Sequence, residues 1–352
     1  MIKKFICLTL SIFIIFSFTG CSKQESVKND YPVVVSDVPF EKSPEKVIVM
    51  SDSIADIIIA LGYDTKLCAC TEDCSQKEIY VLPRIPKDIT EALAKIKEFS
   101  PDLILADDTM ESEDINALKS LGVNTLVFSK AKSRNELINL YNDIGAVLGG
   151  DKTGRKNADK ISNNILMSLD DINRLIPKKD VNTIACYIYG DNKIATGDNF
   201  ISEIIKSSGV LNIAQGSTNN HMEIKDIKIS NPDYIFCDNE EQKEKITSNP
   251  DFENINAVKN DKVFVVKNNL LERQGNSIID SAVFITGIMY PELAVKNSEQ
   301  SEKQETFDDN ESAETSDDTN QTDNNLEKDV MAIESRLDSL DYMPTKPDGI
   351  FN

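Results

Sequence analysis

Two stretches decide the fold: FSPDLILADD at Phe99–Asp108 and SNPDYIFCDN at Ser230–Asn239. They say nearly the same thing, and a motif repeated across the chain implies two similar lobes. Working outward, each Pro-Asp run is preceded by a strand, an aspartate-bearing loop and an amphipathic helix that ends near glycine. In the first half these are KVIVM, SDS and IADIIIALG; in the second they are TIACYIYG, DNKIATGDN and FISEIIKSSG. Each is followed by a polar helical stretch and another apolar run, TLVF at Thr125–Phe128 and KVFVVK at Lys262–Lys267.

Runs such as VIVM, LILA, YIFC and VFVV are short and continuously apolar, the pattern of a parallel sheet covered by helices on both faces. The expected fold class is α/β: two small lobes with mainly parallel sheets, residues 45–150 and 178–296, joined by one long helix. In such sheets ligands sit beyond the carboxyl ends of the strands, so two lobes with those ends facing each other enclose a cleft. Between Asp151 and Ile176 there is no proline, and Ala158, Ile161, Ile165, Leu169, Ile172 and Ile176 recur at helical spacing. Gly149 and Gly150 precede this stretch and Pro177 closes it. A helix over 151–177 would span about 39 Å at about 1.5 Å per residue. Such a brace predicts small lobe movements rather than wide closure.

The first twenty residues read as an address. Lys3 and Lys4 form a basic start, Phe5–Phe18 an apolar run, and Thr19-Gly20 stand before Cys21. This reads as a lipoprotein signal peptide over 1–20 with Cys21 as the lipidated residue, although Phe18 stands where leucine is usual; the alternative is an ordinary signal peptide with a chance cysteine. The run is short for a spanning helix. Residues 21–44 then form a tether and N-terminal extension, placing the protein on the extracellular face of the cytoplasmic membrane. A composition rich in Lys, Asn and Ile points to a monoderm bacterium.

SDSIADIIIALG, FSPDLILA, GDNFISEIIKSSGVLNIA, SNPDYIF, INAVKNDKVFVV and ERQGNSIIDSAVFITGIMYPE, taken in order, resemble the substrate-binding lipoproteins of ABC importers. The resemblance is to the class with a single interlobe helix that captures ferric siderophores, haem or cobalamin, and it runs from Val47 to Glu292. It implies capture of a small-molecule metal chelate outside the cell and delivery to an ABC permease. By analogy the ligand would meet the loops holding Ser51, Asp52, Ser53, Arg84, Asp107, Asp108, Tyr189, Asn192, Asn199, Asp238 and Arg273. Related binders often carry Arg-Pro-Gly at the last of these; here it is Arg273-Gln274-Gly275, so a less rigid loop is expected. The family's two permease-docking glutamates fall at Ala94 and Lys225, leaving Glu91 and Glu98 on one lobe and Glu223 and Asp226 on the other as substitutes.

Asp52, Asp107, Asp108, Asp191 and Asp238 set against Arg273 and Arg84 make a cleft short of cations. An anionic catecholate chelate needs clustered Arg or Lys, so a neutral, amide-rich corrinoid or hydroxamate chelate fits better. The competing reading is that these aspartates cap helices. With one histidine, His221, and no tryptophan, a bare zinc or manganese site of the usual several-histidine kind is excluded. No nucleophile and base pair emerges, so neither an enzyme, a cofactor nor a resident metal is implied. Cys68, Cys70 and Cys74 form C-x-C-x-x-x-C, with the first two expected on one face of a strand. Three readings stay open for them: a soft-metal site lacking its fourth ligand, a disulfide, or free structural thiols.

The segment from Asn297 to Asn352 holds sixteen acidic and four basic residues, −12 of the chain's net −21. Residues 297–325 are too polar to bury a core and read as a disordered spacer. Such charge disfavours nucleic acid. In 326–352, Leu326, Val330, Ile333, Leu337 and Leu340 form a two-heptad stripe, too short to argue a coiled coil but able to meet a partner through Leu326–Asn352. Two functions follow: a lipid-anchored binder of a metal chelate, or a surface interaction protein on the same scaffold with a degenerate cleft and a partner-binding tail.

Overall fold

The computed structural model describes residues 30–177, 182–190, 193–291 and 293. The signal segment with Cys21, the residues Asp191 and Asn192, and the acidic tail with its heptad stripe lie outside the described residues.

A short hairpin, β1 (Val33–Val35) and β2 (Val38–Phe40), opens the chain. The first lobe then runs β3 (Val47–Val49), α1 (Asp52–Ala60), β4 (Leu67–Thr71), β5 (Arg84–Ile85), α2 (Ile89–Phe99), β6 (Leu103–Asp107), α3 (Ser112–Lys119) and β7 (Asn124–Phe128). Its strands pair in parallel in the order β5-β4-β3-β6-β7. Two packed helices follow, α4 (Arg134–Gly149) and α5 (Arg155–Leu175). The second lobe comprises β8 (Thr183–Tyr189), β9 (Lys193–Ile194), α6 (Ile201–Ser207), β10 (Val210–Asn212), α7 (Ile224–Ser230), β11 (Tyr234–Cys237), α8 (Glu240–Ser248), α9 (Asn256–Lys259), β12 (Val263–Val265) and α10 (Ser277–Met289). Its parallel order is β10-β8-β11-β12, with β9 antiparallel on β8. The two-lobed α/β architecture matches the sequence expectation.

The continuous apolar runs are explained by burial on both sheet faces. In the first sheet Val47, Val49, Leu103 and Leu105 point into the main core, whereas Ile48 and Ile104 point into a separate outer core with Ile96 and Leu118. In the second sheet Tyr187 and Phe236 face the main core while Cys186, Ile188 and Ile235 face the outer one. Alternation with period two therefore persists, but neither face is wet. The main core is continuous from one lobe to the other, so the lobes share their largest apolar contact.

The repeated Pro-Asp motif does the same job twice. Ser100 and Asn231, which end α2 and α7, both adopt the left-handed conformation, at φ 48° ψ 59° and φ 48° ψ 62°. The following proline cannot continue a helix. Asp102 then accepts hydrogen bonds from the amides of Glu45 and Lys46, at 2.8 and 3.0 Å, at the entrance to β3. Asp233 does likewise for Ile184 of β8, at 3.2 Å. In each lobe the aspartate fastens the start of the central strand to its neighbour.

The interlobe helix differs from expectation at its start. Gly150 has φ 93° and residues Gly150–Gly154 form a π-turn, so α5 begins at Arg155. A Cβ on Gly145 would lie 2.7 Å from that of Ala158; α4 and α5 approach closely because glycine lets them. The side chain of Asn157 reaches the Leu61 carbonyl at 3.1 Å in the first lobe, and that of Asn173 reaches the Lys206 carbonyl at 3.1 Å in the second. The α5 helix thus bridges the lobes over about 32 Å at about 1.5 Å per residue.

A second connection is a strap, Arg273–Ser277, between β12 and α10. The buried Asp56 carboxylate accepts from the amides of Gly275 and Ser277, at 2.8 and 3.1 Å. Gln274 donates to the Ala131 carbonyl at 2.7 Å and accepts from its amide at 2.8 Å, while the Tyr141 hydroxyl donates to the Gln274 carbonyl at 2.9 Å. The expectation of a looser loop without proline is therefore corrected: the glutamine side chain pins the strap by pairing with a backbone edge, which a proline ring cannot do. Gly275 is required by close approach, since a Cβ there would run into the carbonyl and carboxylate of Asp56.

Two outcomes follow. Gly275→Ala should cost about 1–3 kcal/mol by overpacking, read as a lower urea midpoint with unchanged slope; an unchanged midpoint would mean that the strap is not held against Asp56. Burial, opposed by the bonds from Ser277, by Arg273 and by the Gly275 amide, pushes Asp56 up to about 6 from 3.8. A raised carboxyl contributes stability that is full below about pH 4 and lost as pH rises through about 6. Asp56→Asn retains the acceptor without the charge. The stability of the native protein minus that of the variant should thus fall on the order of 3 kcal/mol at most from pH 4 to pH 7; a flat difference in pH-resolved unfolding would contradict it.

Candidate functional site

The carboxyl ends of both parallel sheets open onto one cleft of about 460 Å³, within the range of about 300–1,000 Å³ usual for small-molecule sites. On the first lobe its wall comes from Asp52 at the start of α1, Asp73 after β4, Asp108 and Thr109 after β6, and Lys130 to Lys132 after β7. On the second it comes from Tyr189 at the end of β8, Lys193 of β9, the approach to α6 from Asp198, and Asn219 with Asn220. Leu271, Glu272 and Gln274 of the connecting segment complete it.

Of the residues singled out from sequence, Asp52, Asp108, Tyr189 and Asn199 line this cleft. The other described ones are absent from its wall. Ser51 caps α1, accepting from the Ile54 amide at 3.2 Å, and donates to Asp107 at 2.5 Å. Asp107 also accepts from the amide and the hydroxyl of Thr109. Asp238, in the matching place of the second lobe, accepts from the Gly190 amide at 2.8 Å. These two aspartates tie together the loops that follow adjacent strands. Ser53 is buried within α1. The Arg84 guanidinium donates to the Cys70 sulfur at 2.6 Å and to the Tyr80 carbonyl at 3.2 Å. Arg273, only 5% exposed, bonds Asp52 at 3.2 Å and Ser75 at 2.6 Å, crossing between lobes. Its removal would disturb the fold as well as any ligand. Asn192 lies outside the described residues.

The charge pattern of the wall also differs from the sequence reading, which counted Arg273 and Arg84 as the available cations. Both turn away, and three lysines, Lys130, Lys132 and Lys193, stand on the wall instead. Two were legible in principle, because Lys130 and Lys132 directly follow the apolar run TLVF, at the end of a parallel strand. Several wall carboxylates are already answered: Asp52 by Arg273, Asp73 by Lys87 at 2.6 Å, and Asp198 by the Thr196 hydroxyl, which holds it below the usual carboxylate range. Burial pushes Glu272 above its usual range, with Lys130 opposing. Tyr189 stacks on Tyr187 with ring centroids 5.1 Å apart, and burial beside Glu272 pushes its hydroxyl up to about 12. The site therefore offers aromatic surface from Tyr189 and Phe200, side-chain amides from Asn199, Asn219 and Asn220, and charges of both signs. That suits orientation of a polar solute. Among the described residues no group of three or more His, Cys, Asp or Glu side chains is placed to hold a metal ion.

The cysteines need one correction. Cys68 and Cys70 do not share a face: pairing of β3 with β4 jumps from Val47↔Leu67 to Ile48↔Ala69. This bulge consumes Cys68, which donates to the Val47 carbonyl at 3.4 Å and packs against the outer core, whereas Cys70 enters the main core. All five described cysteines are free thiols. Among the candidate docking acids, Glu91 and Glu98 are exposed on α2, with Glu98 paired to Lys95 at 2.9 Å. Glu223 precedes α7 and meets the exposed His221 at 3.0 Å; Asp226 sits half-buried in the first turn of that helix.

Comparison with known proteins agrees with this geometry. The periplasmic binding protein family model matches residues 47–270. An uncharacterized ABC transporter substrate-binding lipoprotein of Bacillus subtilis strain 168, YvrC, is 26% identical over 286 residues, covering 77% of this chain and 90% of its own. A periplasmic haem-binding protein of Pseudomonas aeruginosa superposes with a TM-score of 0.60 at 16% identity, over 70% of this chain and 93% of that one. The periplasmic vitamin B12 binding protein BtuF of Vibrio cholerae superposes with a TM-score of 0.54 at 20% identity, over 69% and 95%. At such identities the two structures speak for the fold alone. The family match spans most of both lobes, and the chain belongs to the periplasmic binding protein family.

Proposed function

We propose that this protein is an extracytoplasmic, lipid-anchored solute-binding protein that captures a metal chelate, a corrinoid or a ferric siderophore, for an ABC importer. The observation that carries the reading is the cleft built from the carboxyl ends of both sheets. The relative's name as a substrate-binding lipoprotein supports the transport role and an anchor at Cys21. The neighbours' haem and vitamin B12 support the ligand class. Within that class the wall favours a compact chelate rich in amide or hydroxamate groups, because asparagine amides, lysines and one tyrosine face supply mixed hydrogen bonding. A whole corrinoid would have to project beyond a cleft of about 460 Å³.

Docking to a permease is supported unevenly. Glu91, Ala94 and Glu98 follow at i, i+3 and i+7, so the two acids flank Ala94 on one face of α2. On α7 the exposed Lys225 stands where the family carries an acid, with Glu223 and Asp226 off that face. This reversed charge favours the second reading, a surface interaction protein on the same scaffold.

Thermal unfolding of the full-length chain against cobalamin, haem and ferric hydroxamate and catecholate siderophores separates the two. A true ligand at about one hundred times its dissociation constant adds about 2.7 kcal/mol of stability. Tyr189→Ala should weaken binding by up to about tenfold through loss of a stacking face worth about 0.5–1.5 kcal/mol, and Lys130→Ala should weaken it further for an anionic chelate. A well-folded protein that shifts with none of the panel would favour the interaction-protein reading.

A further inference from the structure

The thiols left unused by the cleft are not equivalent. Cys186 and Cys237 sit in the outer core of the second lobe, and burial pushes both up to about 12. Cys68 is turned to a backbone carbonyl. Cys70 and Cys74 differ because both side chains enter the same core cluster within four residues of each other. The turn that brings them together is closed by the Cys74 amide donating to the Thr71 carbonyl at 3.1 Å. A third group completes the arrangement. Arg84, brought alongside by the parallel register Cys70↔Arg84, places a guanidinium nitrogen 2.6 Å from the Cys70 sulfur and is itself held by the Tyr80 carbonyl.

We propose that Cys70 and Cys74 form a redox-active dithiol whose oxidising substrate is a low-molecular-weight disulfide, with Cys70 as the attacking thiolate and Cys74 as the resolving thiol. A sulfur that receives a guanidinium hydrogen bond is favoured as thiolate, the form that attacks disulfides. The direction of the shifts agrees: the neighbouring Cys74 thiol, then Arg84, outweigh burial and bring Cys70 down to about 7, while Cys74 beside it is pushed far up. The bond order balances. Cys70 attacks one sulfur of the reagent, whose S–S bond breaks; one thiolate leaves, and it takes up from solvent the proton that Cys70 has shed. Cys74 then loses its proton and attacks the Cys70 sulfur. The mixed disulfide breaks, the second thiol departs with that proton, and the Cys70–Cys74 bond forms. Two protein thiols are oxidised, and one disulfide is reduced to two thiols.

The location gives the reaction a consequence for the cleft. Between the two cysteines lies Asp73 on the cleft wall, and just beyond them Ser75 is bonded to Arg273 of the strap and Gln76 donates to the Asp52 carbonyl at 2.8 Å. Cys70 is fully buried and Cys74 3% exposed, but Glu72, Asp73 and Ser75 above them are exposed, so opening of one turn admits a small reagent. The inference does not depend on which solute the cleft takes.

The test is to equilibrate the full-length chain with oxidised glutathione, quench with acid, alkylate with N-ethylmaleimide under denaturation, and map the peptides by mass. The expected result is a Cys70–Cys74 bridge, with Cys68, Cys186 and Cys237 recovered alkylated. Cys74→Ser should stop at a glutathione adduct on Cys70. Arg84→Gln should slow the reaction about fivefold at neutral pH, the gain in thiolate being partly offset by lower nucleophilicity, and should change nothing in urea. Full alkylation of Cys70 and Cys74 in native protein kept in excess oxidised glutathione would overturn the proposal, as would a bridge to Cys68. The native-protein result decides even if a variant fails to fold.

Discussion

The strap Arg273–Ser277 is the constraint on which the rest of the molecule depends. It leaves the second lobe after β12 and meets the first through four of its residues: Arg273 on Asp52 and Ser75, Gln274 on Ala131 and Tyr141, Gly275 on Asp56, and Ser277 on Asp56. Ala131 and Asp52 are themselves cleft residues. The same bonds that join the lobes therefore fix the position of one cleft wall against the other. Buried donors and acceptors that lose their partner cost more than the bond itself contributes, about 1–3 kcal/mol each. The strap consequently resists separation even though it is short. With α5 bridging elsewhere, the lobes have two connections and little freedom for wide closure, so the cleft is largely formed before a solute arrives.

Internal symmetry shapes what the cleft can contain. Each lobe uses a Pro-Asp pair to fasten its central strand at the entry, and an acid at the end of the next strand, Asp107 or Asp238, to tie the exit loop. Those acids are structural cement at the place where ligand-binding residues would be sought. The cleft wall itself is formed one step further along, by Asp108 and Thr109, the lysines after β7, and the tyrosine and asparagines of the second lobe. The two lobes share a frame but not a surface, which is how a repeated fold meets an asymmetric solute.

The frame was legible because it rests on local rules. Apolar runs bounded by Pro-Asp and glycine specify doubly buried parallel strands, and helical spacing from Ala158 to Ile172 specifies the bridging helix. Its start was misplaced by a few residues, since the π-turn at Gly150–Gly154 depends on packing against Gly145, which is a tertiary fact. A minor part of the cleft wall was legible for the same reason: Asp52, Asp108, Tyr189 and Asn199 lie at strand ends or on the segments that follow them. Arg84 and Arg273 misled because a cation near a cleft in sequence says nothing about its partner; one found a sulfur and the other a carboxylate behind the wall. The opposite faces of Cys68 and Cys70 followed from a bulge that no alternation pattern records. Gln274 shows the converse, a departure from the family's proline that the structure turns into two hydrogen bonds.

The most direct test of this account is amide hydrogen exchange at Gly275, Ser277 and Ala131 in the native protein without added solute. If the strap joins the lobes as described, these amides exchange as slowly as those of the buried strand Leu103–Asp107, because they open only with the core. Exchange at the rate of the exposed Asn219 amide would show that the strap is detached in solution, and would contradict a cleft held ready by its bonds to Asp52, Asp56 and Ala131.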